Sequence, residues 1–569
     1  MKRIYTLGFL LFGLAITSSG QYTRIIVELT DKKGTQFTLS NPSAYLSAKA
    51  IQRRTMHNIA IDSTDLPISK TYLDSIAAVP NVTIRNQSKW LNQILIITSD
   101  PNALTKINSF PFVRATKEVA PAARPNEEII SKKIDEAYEL GGEILSKINK
   151  ASRTNGVQDL QYGGTFNQIH IHEGEYLHNL GFTGNGITIA VLDAGFLSYK
   201  TNPAFDSLRL QGRVLGEWDY VMNEASVNED HFHGAYCLSI IAANRPGVIV
   251  GSAPHASFWL LRTEDVFTEY PVEEQNWAAA AEFADSAGTD MISTSLGYNL
   301  FDNPVFNHIY PERNGNTTII TRAADLAAHK GILVTASAGN DGTRTDDYKF
   351  VSCPADADSV LTVGATNGAG AVAGFSCWGP NSAGKVKPNV VSVGQGTILA
   401  TVTGNPAGGN GTSYANPNLA GLVACLWEAF PEFNNMEIID VVQRSADHYM
   451  NPDGRFGHGI PNFRIAYDIL LKERQRRKYE TVLGGDWIKA YPVPYTSNFS
   501  VVIKSAIDGK ASLQLSDAMG RQIERKNLEI ATDQYYQITF ANAAVLAKGV
   551  YFIRYNDGKN KKTIRVVKQ

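Results

Sequence analysis

The chain has 569 residues, too many for one ordinary hydrophobic core, so it reads as several domains. Its 53 Lys and Arg nearly cancel its 55 Asp and Glu, leaving a net charge of −2, which gives no support to nucleic acid as a main partner, and none is expected. With 43% apolar residues and 47 glycines the composition is that of a globular protein, not a disordered one.

The N-terminus opens Met1-Lys2-Arg3, runs apolar from Ile4 to Ile16 and ends in Thr17-Ser18-Ser19-Gly20. A basic start, a short apolar core and small residues make a secretory signal peptide over 1–20, cleaved after Gly20. A membrane anchor is the alternative, but the run is shorter than the ~20 residues a spanning helix needs. No later run is long and apolar enough, so no stable membrane span is expected, and the chain is expected outside the cell or on its surface.

Residues 21–119 read as a small α+β unit. Ile25, Val27 and Leu29 alternate like a strand, Ser43–Arg54 and Tyr72–Ala78 are helix-like, and Val82–Arg85 and Leu91–Thr98 are strand-like. A short helix begins near Ala103, and Phe112–Val113 closes the sheet. Residues 120–160 are polar and aromatic-poor, which predicts an exposed linker with a processing site.

From 161 to 470 strands and helices alternate. Ile187–Leu192 is a continuous apolar run, the pattern of a parallel strand buried on both faces. Met291–Ser293, Ile332–Ala336 and Val360–Val363 are further strands, and Cys237–Ala243, Trp277–Ala287 and Ala323–Lys330 are helical. This predicts an α/β doubly wound parallel sheet. Residues 471–488 form a basic-to-mixed joint, and 489–569 alternate as an all-β sandwich with turns at Asp508-Gly509 and Asp557-Gly558. Four cysteines suit an exported protein with an ordinary core. Cys353 and Cys377 can pair, whereas Cys237 and Cys425 read as buried filler.

Four short segments carry chemistry. Asn410-Gly411-Thr412-Ser413-Tyr414-Ala415-Asn416-Pro417 precedes an apolar helix, so Ser413 is a nucleophile candidate at a helix N-terminus. Asp193 ends the apolar strand 187–192, at the edge where α/β sheets place their ligand crevice; a turn or cap aspartate is the plainer reading. His233-Gly234 opens a helix that can turn the ring to a cleft, with His231 as a competitor. Asn340, in Ala338-Gly339-Asn340-Asp341-Gly342 after a strand, can donate an amide hydrogen bond to an oxyanion, although Asn-Asp-Gly is also an ordinary turn.

Together, Val191-Leu192-Asp193-Ala194-Gly195, His233-Gly234, Ala338-Gly339-Asn340 and Gly411-Thr412-Ser413-Tyr414-Ala415-Asn416-Pro417 resemble the boxes of the subtilisin-like serine protease (subtilase) family. The resemblance implies a secreted endopeptidase acting through Asp193, His233 and Ser413 and an acyl-enzyme, with Asn340 at the oxyanion. Ser295-Leu296-Gly297 resembles the edge that pairs with extended substrate, and Ser352 falls on the floor of the primary pocket. Protein or peptide substrates and no required cofactor follow. Family members often carry structural calcium, and Asp356 and Asp358 are acidic loop residues here, without calcium-loop spacing.

The chain departs from the family at Tyr236, Ser239, Tyr414, Asn416 and Asn418, positions that would bear on substrate preference. Residues 21–119 resemble a subtilase propeptide, a folding aid and inhibitor, against the alternative of a permanent N-terminal domain. Residues 489–569, with Leu515-Ser516-Asp517-Ala518-Met519-Gly520 and Lys548-Gly549-Val550-Tyr551-Phe552, resemble the sorting domain of the type nine secretion system, which implies the secretion machinery as a partner. A sandwich that binds carbohydrate or protein is the alternative there. Two rival functions are a catalytically inactive subtilase-like binding protein at the cell surface and a serine esterase. The first would need a broken triad, and the Gly-x-Ser-x-Gly elbow of the second is absent around Ser413.

Overall fold

A computed structural model describes residues 22–121, 137–139 and 160–569. The signal-peptide segment and most of the 120–160 linker lie outside the described residues. The chain divides into two compact units, Met1–Ala466 and Tyr467–Gln569.

The first unit opens with a four-stranded antiparallel sheet in the order Thr83–Ser88, Gln93–Ile97, Tyr22–Leu29, Val113–Pro121. The expected Ser43–Arg54 helix begins later, at Ala48, because the Ser47 side chain accepts from the Ala50 N–H and sets the cap there. The last strand is longer than the two residues foreseen, since it pairs with the whole of Tyr22–Leu29.

The rest of this unit is built on a nine-stranded sheet. Its order is Ala137–Glu139, Pro406–Asn410, Val390–Ala400, Leu361–Asn367, Leu333–Ser337, Met291–Thr294, Thr188–Asp193, Ser257–Arg262, Val214–Asp219. The seven strands from Val390–Ala400 to Val214–Asp219 run parallel, and Pro406–Asn410 and Ala137–Glu139 add antiparallel pairs. The central strands are buried along their whole length, as two-sided cover by helices requires. Helices His233–Ala242 and Thr412–Ala429 pack together, as do Val272–Ala287 and Ile319–His329.

The small N-terminal sheet and helix Ala48–Met56 dock on helix Val272–Ala287 through polar groups. Arg53 and Arg54, 6% and 2% exposed, reach the buried Asp285 at 2.5 and 2.9 Å. In return, Lys330 meets Asp65 at 2.8 Å and Asp62 at 3.1 Å. Glu282 accepts from the N–H groups of Lys89 and Trp90 and from the Ser88 hydroxyl. Burial pushes the Glu282 carboxyl up to about 7, although these hydrogen bonds pull the other way.

The second unit is a β-sandwich. One sheet holds Ile488–Tyr491, Phe499–Lys504 and Tyr535–Phe540; the other holds Gln522–Ile530, Gly509–Asp517, Gly549–Asn556 and Lys561–Lys568. Val501, Leu513, Leu515 and Ile553 are among the residues of its core. Most of the stretch read as a joint, up to Leu483, is part of a helix, Phe463–Leu483, carrying Arg477–Glu473 and Arg476–Glu480 pairs four residues apart.

Candidate active site

Parallel register sets the site. Asp193 ends its strand opposite Arg262, and Leu192 lies opposite Thr294, so Asp193 and the segment Ser295–Gly297 emerge at one edge of the sheet. Asp193 is fully buried and takes the Ala194 N–H on Oδ1 at 2.7 Å. The same oxygen lies 2.7 Å from His233 Nδ1, with the ring 4% exposed.

Gly234 makes this approach possible. A Cβ there would stand 2.4 Å from the Gly195 carbonyl oxygen and 2.9 Å from the Asp193 Cβ. His231, the competing histidine, is turned elsewhere: its Nδ1 accepts the His233 N–H at 3.2 Å. Burial, reinforced by the charge of His233, pushes His231 down to about 4 and keeps it neutral.

Ser413 is the second residue of helix Thr412–Ala429, after Gly411, and is 4% exposed. Its hydroxyl donates to the Ser295 carbonyl at 3.2 Å, while its own carbonyl accepts from Ser295 Oγ at 2.9 Å and from Cys237 Sγ at 3.4 Å. Pro417 explains why that carbonyl is available: four residues on, it has no N–H to give back to Ser413. Cys237 Sγ is also 3.9 Å from His233 Nδ1, and the His233 and Tyr414 rings are 6.0 Å apart, so serine and histidine are neighbours. Sequence reasoning took Cys237 for filler. Its place one turn after His233 was the available signal.

Asn340 Oδ1 accepts from both the Thr412 N–H and the Thr412 hydroxyl at 2.9 Å, which fixes the amide plane beside Ser413. The Thr412 hydroxyl in turn accepts from Gly339 N–H at 3.1 Å. Thr412 was missed as a site residue, though it adjoins Ser413. Ser295 and Leu296 are 7% and 8% exposed. Ser352, 4% exposed, lies against two glycines: a Cβ on Gly297 would stand 2.3 Å, and one on Gly339 3.3 Å, from its Oγ.

The departures Tyr414, Asn416 and Asn418, read in the sequence as bearing on substrate preference, are held inside the domain by packing and hydrogen bonds. All three are fully buried. Tyr414 packs with Tyr236, Cys237 and Ile240. The Asn416 amide donates to the Thr294 carbonyl at 3.1 Å, and that of Asn418 to the Gln168 carbonyl at 2.8 Å. Two of the departures, Tyr236 and Tyr414, share one buried cluster. Ser239 Oγ accepts from the Ala400 N–H at 2.9 Å, a bond a glycine could not offer.

The Cys353–Cys377 pairing that the sequence left open is not formed: all four cysteines are free and buried. Cys377 Sγ faces Gly339 and Asp341, whereas Cys353 is set among Thr318, Thr321 and Asp356. Asp356 and Asp358 are engaged by protein groups. Asp356 spends its two oxygens on the Gly315 N–H at 2.9 Å and the Thr321 hydroxyl at 2.6 Å, and Asp358 pairs with Lys385 at 2.5 Å. Among the described residues, Glu264, Glu269 and Glu273 form another acidic group, with carboxylate oxygens within 4.8 Å of one another.

The model "Subtilase family" matches residues 184–459. The chain is 30% identical to Subtilisin E of Bacillus subtilis (strain 168) over 294 residues, 51% of this chain and 68% of that protein. It is equally 30% identical to Subtilisin of Bacillus pumilus, over 51% of this chain and 94% of that one. The chain belongs to the subtilase family.

As a subtilase it is a subtilisin-like serine endopeptidase. The model "Peptidase S8 propeptide domain, Bacteroidota" matches 24–133, and "Secretion system C-terminal sorting domain" matches 489–569, which marks the subtilase as an exported protein. Among solved structures, "Structure of Prenylagaramide maturation protease PagA" aligns with TM-score 0.41 at 22% identity, over 52% of this chain and 98% of that one. Among the described residues no helix is long and apolar enough to cross a membrane.

Proposed function

We propose that Asp193, His233 and Ser413 are the catalytic triad of this exported subtilase and cleave peptide bonds through an acyl-enzyme. The reading is carried by one observation: a buried Asp193 carboxylate 2.7 Å from His233 Nδ1, beside a serine at a helix start. That bond orients the imidazole and stabilises its charged form, so that Nε2 takes the Ser413 proton as the hydroxyl attacks the carbonyl carbon. Asn340 Nδ2 and the Ser413 N–H hold the oxyanion, and His233 then protonates the leaving amine. Water enters by the same route to release the acyl group.

Ser295, Leu296 and Gly297 bind extended protein or peptide substrate along the strand edge, and Ser352 lines the primary pocket. Residues 1–20 are the signal peptide, 21–119 the propeptide, 120–160 the processed linker, 161–470 the catalytic domain and 489–569 the domain read by the secretion machinery. The test is Ser413→Ala, which should lose peptide hydrolysis and fluorophosphonate labelling while keeping its fold. Wild-type hydrolysis by that variant would refute the assignment.

A further inference from the structure

The turn that carries Asn340 is held from two sides. On one side is Thr412. On the other is the segment 373–378, which is stitched to the turn by four hydrogen bonds. The Cys377 N–H donates to the Gly339 carbonyl at 3.0 Å, and the Asp341 N–H donates to Cys377 Sγ at 3.3 Å. The Gly342 N–H donates to the Phe375 carbonyl at 2.7 Å, and Trp378 Nε1 donates to the Gly342 carbonyl at 2.8 Å. Two of the four belong to Cys377, and they grip the residues immediately before and after Asn340.

The thiol is also close-packed. Cys377 is fully buried, and a Cβ on Gly339, itself at φ +104°, would stand 2.9 Å from Sγ. Burial pushes this thiol up to about 12, so it stays protonated and neutral. The segment is in turn anchored by Arg455, whose guanidinium donates to the Ser376 carbonyl at 2.7 Å and the Ala373 carbonyl at 2.9 Å and stacks 4.4 Å over the Trp378 ring.

We infer that Cys377 is a positioning residue for the oxyanion donor: it sets the backbone on both sides of Asn340 and so aims the amide at the place where charge develops. This rests on the oxyanion role proposed for Asn340. An oxyanion donor acts through its preorganised position, so loosening its turn should lower the rate of the chemical step and leave substrate binding unchanged. It also explains why an exported chain keeps this thiol unpaired: a disulfide would draw Sγ away from the Asp341 N–H.

The test is a cycle of Cys377 and Asn340 variants, made in the full chain and assayed for peptide hydrolysis after export. Cys377→Ala should lower kcat about 3- to 10-fold, the worth of one buried hydrogen bond, with KM unchanged. Cys377→Ser, which restores an acceptor, should recover most of that loss. Asn340→Ala alone should lower kcat about 10²–10³-fold, and adding Cys377→Ala to it should cost nothing further. If Cys377→Ala fails to fold, Cys377→Val fills the space without supplying an acceptor, and the same loss in kcat is expected. Wild-type kcat in both of these variants, or full additivity with Asn340→Ala, overturns the inference while leaving the oxyanion reading intact. A wild-type kcat for Asn340→Ala overturns that reading, and the inference with it.

Discussion

Replacing Asp285 by alanine probes how the N-terminal sheet is held on the protease. Asp285 is fully buried and neutralises two guanidinium groups at once, Arg53 at 2.5 Å and Arg54 at 2.9 Å, both on helix Ala48–Met56. Removing one partner of a buried pair costs about 3–5 kcal/mol, because the remaining charge stays desolvated. Here the low end applies. Arg54 keeps Asp65 at 3.0 Å, and Arg53 keeps the carbonyls of Lys330 and Thr289. A loss of about 3 kcal/mol raises the opening equilibrium of the lobe about 150-fold. Hydrogen exchange of the Ala48–Met56 amides reads this directly, in a Ser413→Ala background that prevents self-cleavage. Exchange about 150-fold faster is expected. A change below about 5-fold would show that the ion pairs contribute little beyond packing, and would refute the reasoning.

Two further outcomes follow from the same geometry. Asp193→Asn should lower kcat by about 10⁴, since an amide favours the wrong imidazole tautomer, with KM little changed; steady-state kinetics on a peptide substrate decide it. Glu282 makes docking of the N-terminal lobe pH-dependent. Its carboxyl rises to about 7 in the docked state, from the ordinary carboxylate range when exposed, so docking takes up a proton. The contribution is fully present below the ordinary carboxylate value and is lost as pH rises through about 7. Helix Ala48–Met56 should therefore open more readily at about pH 8 than at about pH 5.5, once intrinsic exchange is corrected for, and Glu282→Gln should flatten that dependence. An unchanged slope in the glutamine variant would rule Glu282 out.

Much of the site was legible because its residues lie next to strong local signals. Asp193 ends a short apolar run of the kind a two-sided buried strand shows, and Ser413 stands between a glycine approach and an apolar helix. The N-terminal lobe shows the opposite case. Arg53, Arg54, Asp285 and Lys330 look like solvated faces of helices, because charged residues are seldom buried unless paired, and the partners that join lobe to protease, Asp285 for Arg53 and Arg54 and Asp65 for Lys330, lie more than 200 residues away. Strand Ser257–Arg262 was passed over although Phe258-Trp259-Leu260-Leu261 is an apolar run, and its pairing with Thr188–Asp193 and Val214–Asp219 establishes it.

The sequence by itself determined the family, the order of its boxes, the α/β alternation and the export signal of the C-terminal sandwich, all of which rest on residue type and local periodicity. Only the tertiary structure decided which histidine meets Asp193, where Tyr414, Asn416 and Asn418 point, and that Cys353 and Cys377 stay apart. Those outcomes depend on contacts between segments distant in the chain. Such contacts follow from parallel register and from close approaches such as Gly234 against Gly195, which leave no periodic trace in the chain that makes them.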